Sequence, residues 1–140
     1  MKPKIIRNTE GRAIMGGRQT IKLNAADTAK KMSVTYSVVP ANSGIPVHIH
    51  SREHETFQIV DGELEVTLNG EAQLLKKGDM VFMPKHIPHG FKALKDTSMW
   101  VTLVPGGAEN MFVELAGLPP GPPDMEKVAA IAESYGIKFV

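Results

Sequence analysis

The chain has 140 residues, and its 16 basic and 15 acidic side chains leave a formal net charge of +1. This balance lacks the clustered positive field that binding to nucleic acid requires. The absence of cysteine excludes disulfides, thiolate nucleophiles and sulfur-ligated zinc. No segment has the pattern of a signal peptide or the length of a membrane span, so we expect one domain in the cytoplasm.

The N-terminal segment, residues 1–28, is mixed and polar, with weak strand signals near Ala13 and Ile21. We expect it to form an irregular arm that packs outside the main fold. The segment Met32–Val39 then alternates large apolar residues with serine and threonine, which is the period of a strand with one buried face. We expect Met32, Val34, Tyr36 and Val38 to point inward.

Further short strands are predicted over residues 56–60, 64–68, 80–83 and 99–104. Pairs such as Asp61-Gly62 and Asn69-Gly70 separate these strands. They are turn signals, because the tight turns of hairpins need positive φ at both central residues and these residue types accept it. Strands that recur about every 8–12 residues are typical of an antiparallel sandwich or barrel. We place the core of this barrel at about residues 30–105.

The C-terminal part begins with a linker rich in proline and glycine, residues 117–123. Proline removes the backbone donor that a helix or strand needs, so the linker has no regular structure. Asp124 can then cap a helix through about Tyr135, with one apolar stripe along it, and Gly136 follows where a left-handed residue ends a helix. We expect this to be the one helix of an otherwise all-β chain.

All five histidines lie between positions 48 and 89, and this clustering is the most informative feature of the sequence. His48 and His50 are two residues apart, so on a strand they point to the same face. Glu55 would share a face with Phe57 and enter an apolar interior, where a metal ion offsets the cost of a buried carboxylate. Glu53 is an alternative ligand that fits the spacing less well.

His89 lies in a second segment and completes a predicted site of three imidazoles and one carboxylate. Such a mixed nitrogen and oxygen site suits one divalent transition metal ion: Fe, Mn, Ni, Co, Cu or Zn. Four protein ligands leave coordination positions open on an ion that accepts five or six.

Two stretches resemble the paired motifs of the cupin superfamily. Residues 48–62 are similar to its first motif through His48, His50, Glu55 and Gly62, and residues 78–89 to its second through Gly78, Pro84 and His89. The resemblance implies a jelly-roll β-barrel with the metal inside, ligated by His48, His50, Glu55 and His89. His86 stands where the second motif has glycine, so we expect either strain or a shifted loop there, and a side chain that hydrogen-bonds to a metal ligand or gates the pocket.

A narrower resemblance links the stretches HIHSREHETFQIVDGELEV and VFMPKHIPHGFKA to single-domain cupins that are similar to quercetin dioxygenases. It implies a dioxygenase acting on a small enolizable or aromatic substrate, with Glu55 as both ligand and proton acceptor, and a homodimer. We expect the substrate to meet four aromatic residues, Tyr36, Phe57, Phe91 and Trp100. Two alternatives stay open: a metal-dependent isomerase or lyase of a small sugar or oxo acid, and a non-catalytic module that binds a small ligand.

Overall fold

A computed structural model describes residues 1–140, and it consists mainly of strands. The strands, in chain order, are β1 (Arg12–Ile14), β2 (Gln19–Leu23), β3 (Ser33–Val39), β4 (Gly44–His50), β5 (His54–Asp61), β6 (Glu63–Leu68), β7 (Glu71–Lys76), β8 (Met80–Met83), β9 (His89–Ala93), β10 (Thr97–Val104) and β11 (Ile137–Phe139). Two short helices, α1 (Glu109–Ala116) and α2 (Met125–Ser134), lie between β10 and β11. Neither helix is long and apolar enough to cross a bilayer.

The strands form two antiparallel sheets that face each other. One sheet has the order β1-β2-β3-β10-β5-β8, and the other has the order β11-β4-β9-β6-β7. The main hydrophobic core fills the space between them and combines residues from both: Val39, Phe57, Ile59, Leu64, Val66, Met83, Ala93 and Met99. This is the all-β double-sheet architecture that the sequence predicts, since apolar residues of the central strands alternate toward one shared interior.

Strand β3 has the predicted position, but its faces are reversed. Ser33, Thr35 and Ser37 are buried, whereas Val38 is exposed. The reason is the register with β10, in which Trp100 lies opposite Tyr36 and both point away from the interior. A strand's period predicts that it has two faces, but the pairing with its neighbours decides which face is buried.

The N-terminal segment is only in part an irregular arm, because residues 1–11 have no strand or helix whereas two strands within residues 12–23 join a sheet. Strand β2 pairs with β3 through Gln19 opposite Ser37 and Ile21 opposite Thr35, and β1 pairs with β2. Ile14 and Ile21 are buried. The expected strands near Ala13 and Ile21 are therefore present, and they extend the six-stranded sheet at its edge.

The C-terminal region contains more structure than the sequence predicts. Helix α2 begins after Asp124, whose carboxylate accepts hydrogen bonds from the backbone N–H groups of Glu126 and Lys127, and Gly136 follows the helix with φ +74°. Helix α1 and strand β11 were not predicted, because elements of eight and three residues have weak periodicity. A second apolar cluster holds these elements against β10: Leu103, Ala108, Met111, Ala132 and Ile137.

Candidate metal centre

Four side chains that are far apart in the sequence converge inside the barrel. His48 and His50 come from β4, His89 from β9 and Glu55 from β5, and their donor atoms all lie within 4.8 Å of one another. All four residues are buried, with exposed fractions of 5%, 5%, 1% and 8% in that order. The site therefore contains the residues predicted from the sequence and joins the two sheets.

Strand pairing explains why the three imidazoles meet. His48 and His50 alternate inward along β4, and His48 lies opposite His89 in the pairing of β4 with β9. The ring centroids of His48 and His89 are 4.5 Å apart, and the rings of His50 and His89 are stacked at 5.4 Å. Residues opposite each other on paired strands lie side by side on one face, so this register gathers the rings.

Each of the three imidazoles is oriented by a hydrogen bond from its Nδ1 atom. His48 donates to the carbonyl oxygen of Pro46 at 2.8 Å, and His89 donates to that of Ile87 at 3.1 Å. His50 donates instead to a carboxylate oxygen of Glu53 at 2.9 Å. Because a carbonyl oxygen only accepts, the Nδ1 atoms of His48 and His89 carry the proton, which leaves the lone pair of Nε2 free in the neutral ring.

Electron-pair donors are crowded at the centre of the cluster. The Nε2 atom of His89 lies 3.0 Å from Oε1 of Glu55, and the Nε2 atom of His50 lies 3.8 Å from the same oxygen. A lone pair and a carboxylate oxygen repel each other at such distances unless a proton or a metal cation lies between them. The donor set therefore fits one divalent transition metal ion, held by nitrogen and oxygen ligands.

The buried environment keeps one of these ligands neutral. Burial lowers the pKa of His48 to about 4, against the opposing effect of the hydrogen bond to Pro46. Burial also lowers the pKa of His50, but the hydrogen bond to Glu53 and the charges of Glu55 and Glu53 outweigh it, so that this pKa is raised. Near neutral pH, His48 is thus ready to bind a cation without first losing a proton.

Glu53 is the less favoured of the two carboxylates that the sequence offers as a ligand, and the structure leaves it out of the central cluster. Its carboxylate lies on the outer side of His50, against Nδ1. It is only 4% exposed although it lies in the short bend between β4 and β5. In the sequence, Glu53 could be found only by its spacing of three residues from His50. The bend between β4 and β5 brings the two side chains into contact.

The two remaining histidines lie outside the cluster. His86 adopts φ +72°, the left-handed conformation that the glycine of the cupin motif suggested, and its side chain is exposed. Its backbone N–H donates to the carbonyl oxygen of His50 at 2.7 Å, so this residue supports the site through its backbone. His54 lies at the start of β5, where its Nδ1 accepts a hydrogen bond from the backbone N–H of Lys85 at 3.1 Å.

The four aromatic residues predicted to line the pocket fall into two pairs. Phe57 and Phe91 meet edge to face inside the barrel, with ring centroids 5.2 Å apart. Tyr36 and Trp100 form a similar pair at 4.9 Å, but on the outer face of the six-stranded sheet. The predicted pocket role of Tyr36 and Trp100 is therefore wrong, because β3 and β10 present their opposite faces to the interior.

The C-terminal strand contributes neighbours of the cluster that the sequence did not indicate. Phe139 lies opposite His48 in the pairing of β11 with β4, and their ring centroids are 6.0 Å apart. Ile137 lies opposite His50 and is buried. The end of α2 is tied to the bend after β4, where Ser51 donates to the carbonyl oxygen of Gly136 at 2.9 Å.

Comparison with known sequences shows a match to one family and similarity to enzymes that catalyse different reactions. The cupin-domain family model matches residues 35–107. A quercetin 2,3-dioxygenase from Bacillus subtilis is 33% identical over 92 residues, which cover 64% of this chain and 27% of that protein. An L-ectoine synthase from Vibrio parahaemolyticus is 26% identical over 100 residues, which cover 70% of this chain and 77% of that protein.

Solved structures share the same fold. An RmlC-like cupin from Shewanella frigidimarina superposes with a TM-score of 0.66 at 19% identity, covering 78% of this chain and 96% of that chain. The family match covers more than half of this chain, and it runs from within β3 to beyond the end of β10, so it includes all four residues of the cluster. The chain therefore belongs to the cupin family.

Proposed function

We propose that this protein is a metal-dependent oxidoreductase of the dioxygenase type, which acts on a small enolizable or aromatic substrate inside the barrel. The observation that carries the proposal is the buried set of three inward-facing Nε2 atoms and one carboxylate beside an apolar aromatic pair. The similarity of 64% of the chain to part of a quercetin 2,3-dioxygenase supports this reaction class.

His48, His50, His89 and Glu55 would hold one divalent ion of Fe, Mn, Ni, Co, Cu or Zn. When bound, such an ion supplies Lewis acidity and, for the redox-active metals, one-electron chemistry. Phe57 and Phe91 would bind the apolar part of the substrate and exclude water from the site. In a site with little water, charges interact more strongly, so the attraction between a bound ion and a substrate oxygen would be stronger there.

Glu55 would act as the general base in this reaction. Its Oε1 atom faces His89 and His50, which leaves Oε2 to accept a proton from a substrate hydroxyl group. The Glu55 side chain is buried, 8% exposed, so its free oxygen would meet a substrate held inside the barrel. We propose both roles, ligand and proton acceptor, for this residue.

A second function, an isomerase or lyase of a small sugar or oxo acid, is favoured by one feature of the interior. The inner face of β3 carries the hydroxyl groups of Ser33, Thr35 and Ser37, and Thr35 shares a row with Val101 and Phe57 across the sheet. Hydroxyl groups inside a barrel are partners for a polar substrate. The metal would then act as a Lewis acid while a protein group moves the proton.

The first experiment measures metal content per chain by mass spectrometry, on protein purified without a tag or chelators, beside His50→Ala. We expect about one equivalent of a redox-active metal in the wild type and loss of it in the variant. Oxygen uptake with flavonol and diketone substrates then tests the oxygenase. One equivalent of zinc and no oxygen uptake would favour the second function, and no metal even after reconstitution would overturn both metal-dependent proposals.

Two further expectations from the sequence concern the oligomeric state of the protein and its location in the cell. The homodimer implied by the resemblance and the cytoplasmic location stay predictions. Sedimentation of the purified protein and fractionation of cells that produce it, respectively, test them.

A further inference from the structure

The three histidines of the cluster differ in the groups that orient them. His48 and His89 each donate from Nδ1 to a backbone carbonyl oxygen two residues earlier in the chain. His50 alone donates to a charged side chain, the carboxylate of Glu53. A carboxylate accepts a stronger hydrogen bond than a carbonyl group, so His50 is electronically distinct from the other two ligands.

The burial of Glu53 makes this contact unusual. The side chains of His50 and Glu53 are 6% and 5% exposed, and no lysine or arginine pairs with this carboxylate. A buried charge without a partner is strongly unfavourable, and apolar residues are often as stable as a buried ion pair. Stability alone therefore gives little reason for a glutamate at this position.

We propose that Glu53 is a positioning residue that holds the ring of His50 in place and increases the electron donation from its Nε2 atom to the bound metal. This inference rests on the metal site of the proposed function. The hydrogen bond fixes the proton on Nδ1, and the negative charge on that side of the ring makes the opposite nitrogen a better donor. His50 thereby becomes the strongest of the three nitrogen ligands.

The test compares Co²⁺ binding to the metal-free wild-type protein and three variants. Glu53→Gln keeps an oxygen that accepts from Nδ1 but removes the charge, and Glu53→Ala removes both. Glu109→Gln is the matched control, because Glu109 is also a buried glutamate, 1% exposed, whose carboxylate accepts hydrogen bonds only from the backbone N–H groups of Ala25 and Gly107. The readouts are the dissociation constant and the visible d–d absorption of the bound cobalt.

We expect the dissociation constant to rise about 10-fold in Glu53→Gln and about 100-fold in Glu53→Ala, the range observed when partners of metal-binding histidines are removed. The cobalt bands should shift in both variants and stay unchanged in Glu109→Gln. A purely structural role would lower the melting temperature without shifting the bands.

Two results would overturn the inference, and they can be told apart. Wild-type affinity and an unchanged cobalt spectrum in both Glu53 variants would contradict the role of Glu53 and leave the metal site intact. No specific cobalt binding by the wild type would contradict the metal site itself, and the role of Glu53 with it.

Discussion

His89 Nε2 lies 3.0 Å from Glu55 Oε1, and this contact joins the two sheets of the barrel. Glu55 is on β5 of the six-stranded sheet, and His89 is on β9 of the five-stranded sheet. A metal ion bound by both residues would connect the sheets through coordinate bonds. The candidate site is thus also a structural link within the core.

Metal removal is therefore expected to weaken the fold. A ligand that binds only the folded state stabilises it by about 2.7 kcal/mol when its free concentration is 100 times the dissociation constant. Urea denaturation with and without saturating metal measures this difference in the free energy of unfolding. In Glu55→Gln the metal should stabilise the protein far less, and equal stabilisation of both proteins would contradict ligation by Glu55.

Substitution of Gly90 is expected to impair metal binding at a distance. A Cβ atom at this position would lie 2.8 Å from the backbone nitrogen of Val47, so Gly90→Ala would push β9 away from β4. Since His89 and His48 pair across these strands, the histidines would separate. We expect the dissociation constant for the metal to rise about 10-fold, the size of effect seen when the groups that orient metal ligands are disturbed. Calorimetry measures this constant.

Gly117→Ala is the matched control for this substitution. Gly117 has the ordinary helical φ of −83°, and an added Cβ would come no closer than 3.4 Å to any neighbouring atom. This variant should bind metal as the wild type does. Equal affinity in Gly90→Ala would show that the spacing of β9 and β4 does not control the site.

The outward position of Tyr36 and Trp100 has a testable consequence. Replacing either residue by leucine should leave metal affinity and turnover within about twofold of the wild type, since neither side chain reaches the interior. The free energy of unfolding should fall by about 1 kcal/mol through loss of the edge-to-face pair. Phe57→Leu is the comparison variant, because it alters a side chain in the interior and should reduce turnover. A strong loss of turnover in Trp100→Leu would contradict the outward position of Trp100.

The contact between Tyr135 and Glu114 should appear in the alkaline titration of the protein. The hydrogen bond to Glu114, at 2.6 Å, raises the pKa of Tyr135 to about 12, with smaller contributions from burial and from the charges of Glu114 and Glu109. An unfolded tyrosine titrates at about 10, so the stabilisation is complete below pH 10 and is lost as the pH rises through 12. Because Tyr135 is only partly buried, screening by solvent limits this stabilisation to about 1 kcal/mol.

Tyrosinate absorbance in a Tyr36→Phe background reports Tyr135 alone, since the chain has two tyrosines. Adding Glu114→Gln should return the transition toward pH 10, because the charge that opposes ionisation is removed. A transition near pH 10 in both proteins would show that the contact does not form in solution.

Phe139 should help to exclude water from the imidazole ring of His48. Its ring lies 6.0 Å from the imidazole, and burial is the main cause of the lowered pKa of His48. In metal-free Phe139→Ala we expect the pKa of His48 to rise from about 4 toward its ordinary value, as water reaches the ring. Histidine NMR titration measures this change, and an unchanged pKa of His48 would show that other residues exclude the water.

The sequence by itself was sufficient to predict the family and the four residues that meet in the buried cluster. His48 and His50 share a strand face because strands have a period of two, and the spacings to Glu55 and His89 match two linked motifs. Local rules also predicted the cap at Asp124 and the left-handed Gly136, because both depend on neighbouring backbone alone. These features are encoded within short stretches of chain.

Only the tertiary structure decided which faces and which partners these residues have. The alternation in β3 is compatible with either face inward, and the pairing of Tyr36 with Trp100 turned both residues outward. Glu53 became the partner of His50 through a bend, and Phe139 reached His48 through a strand more than eighty residues away in sequence. Strand register, bends and long-range pairing depend on the free energy of the whole fold, so local pattern does not determine them.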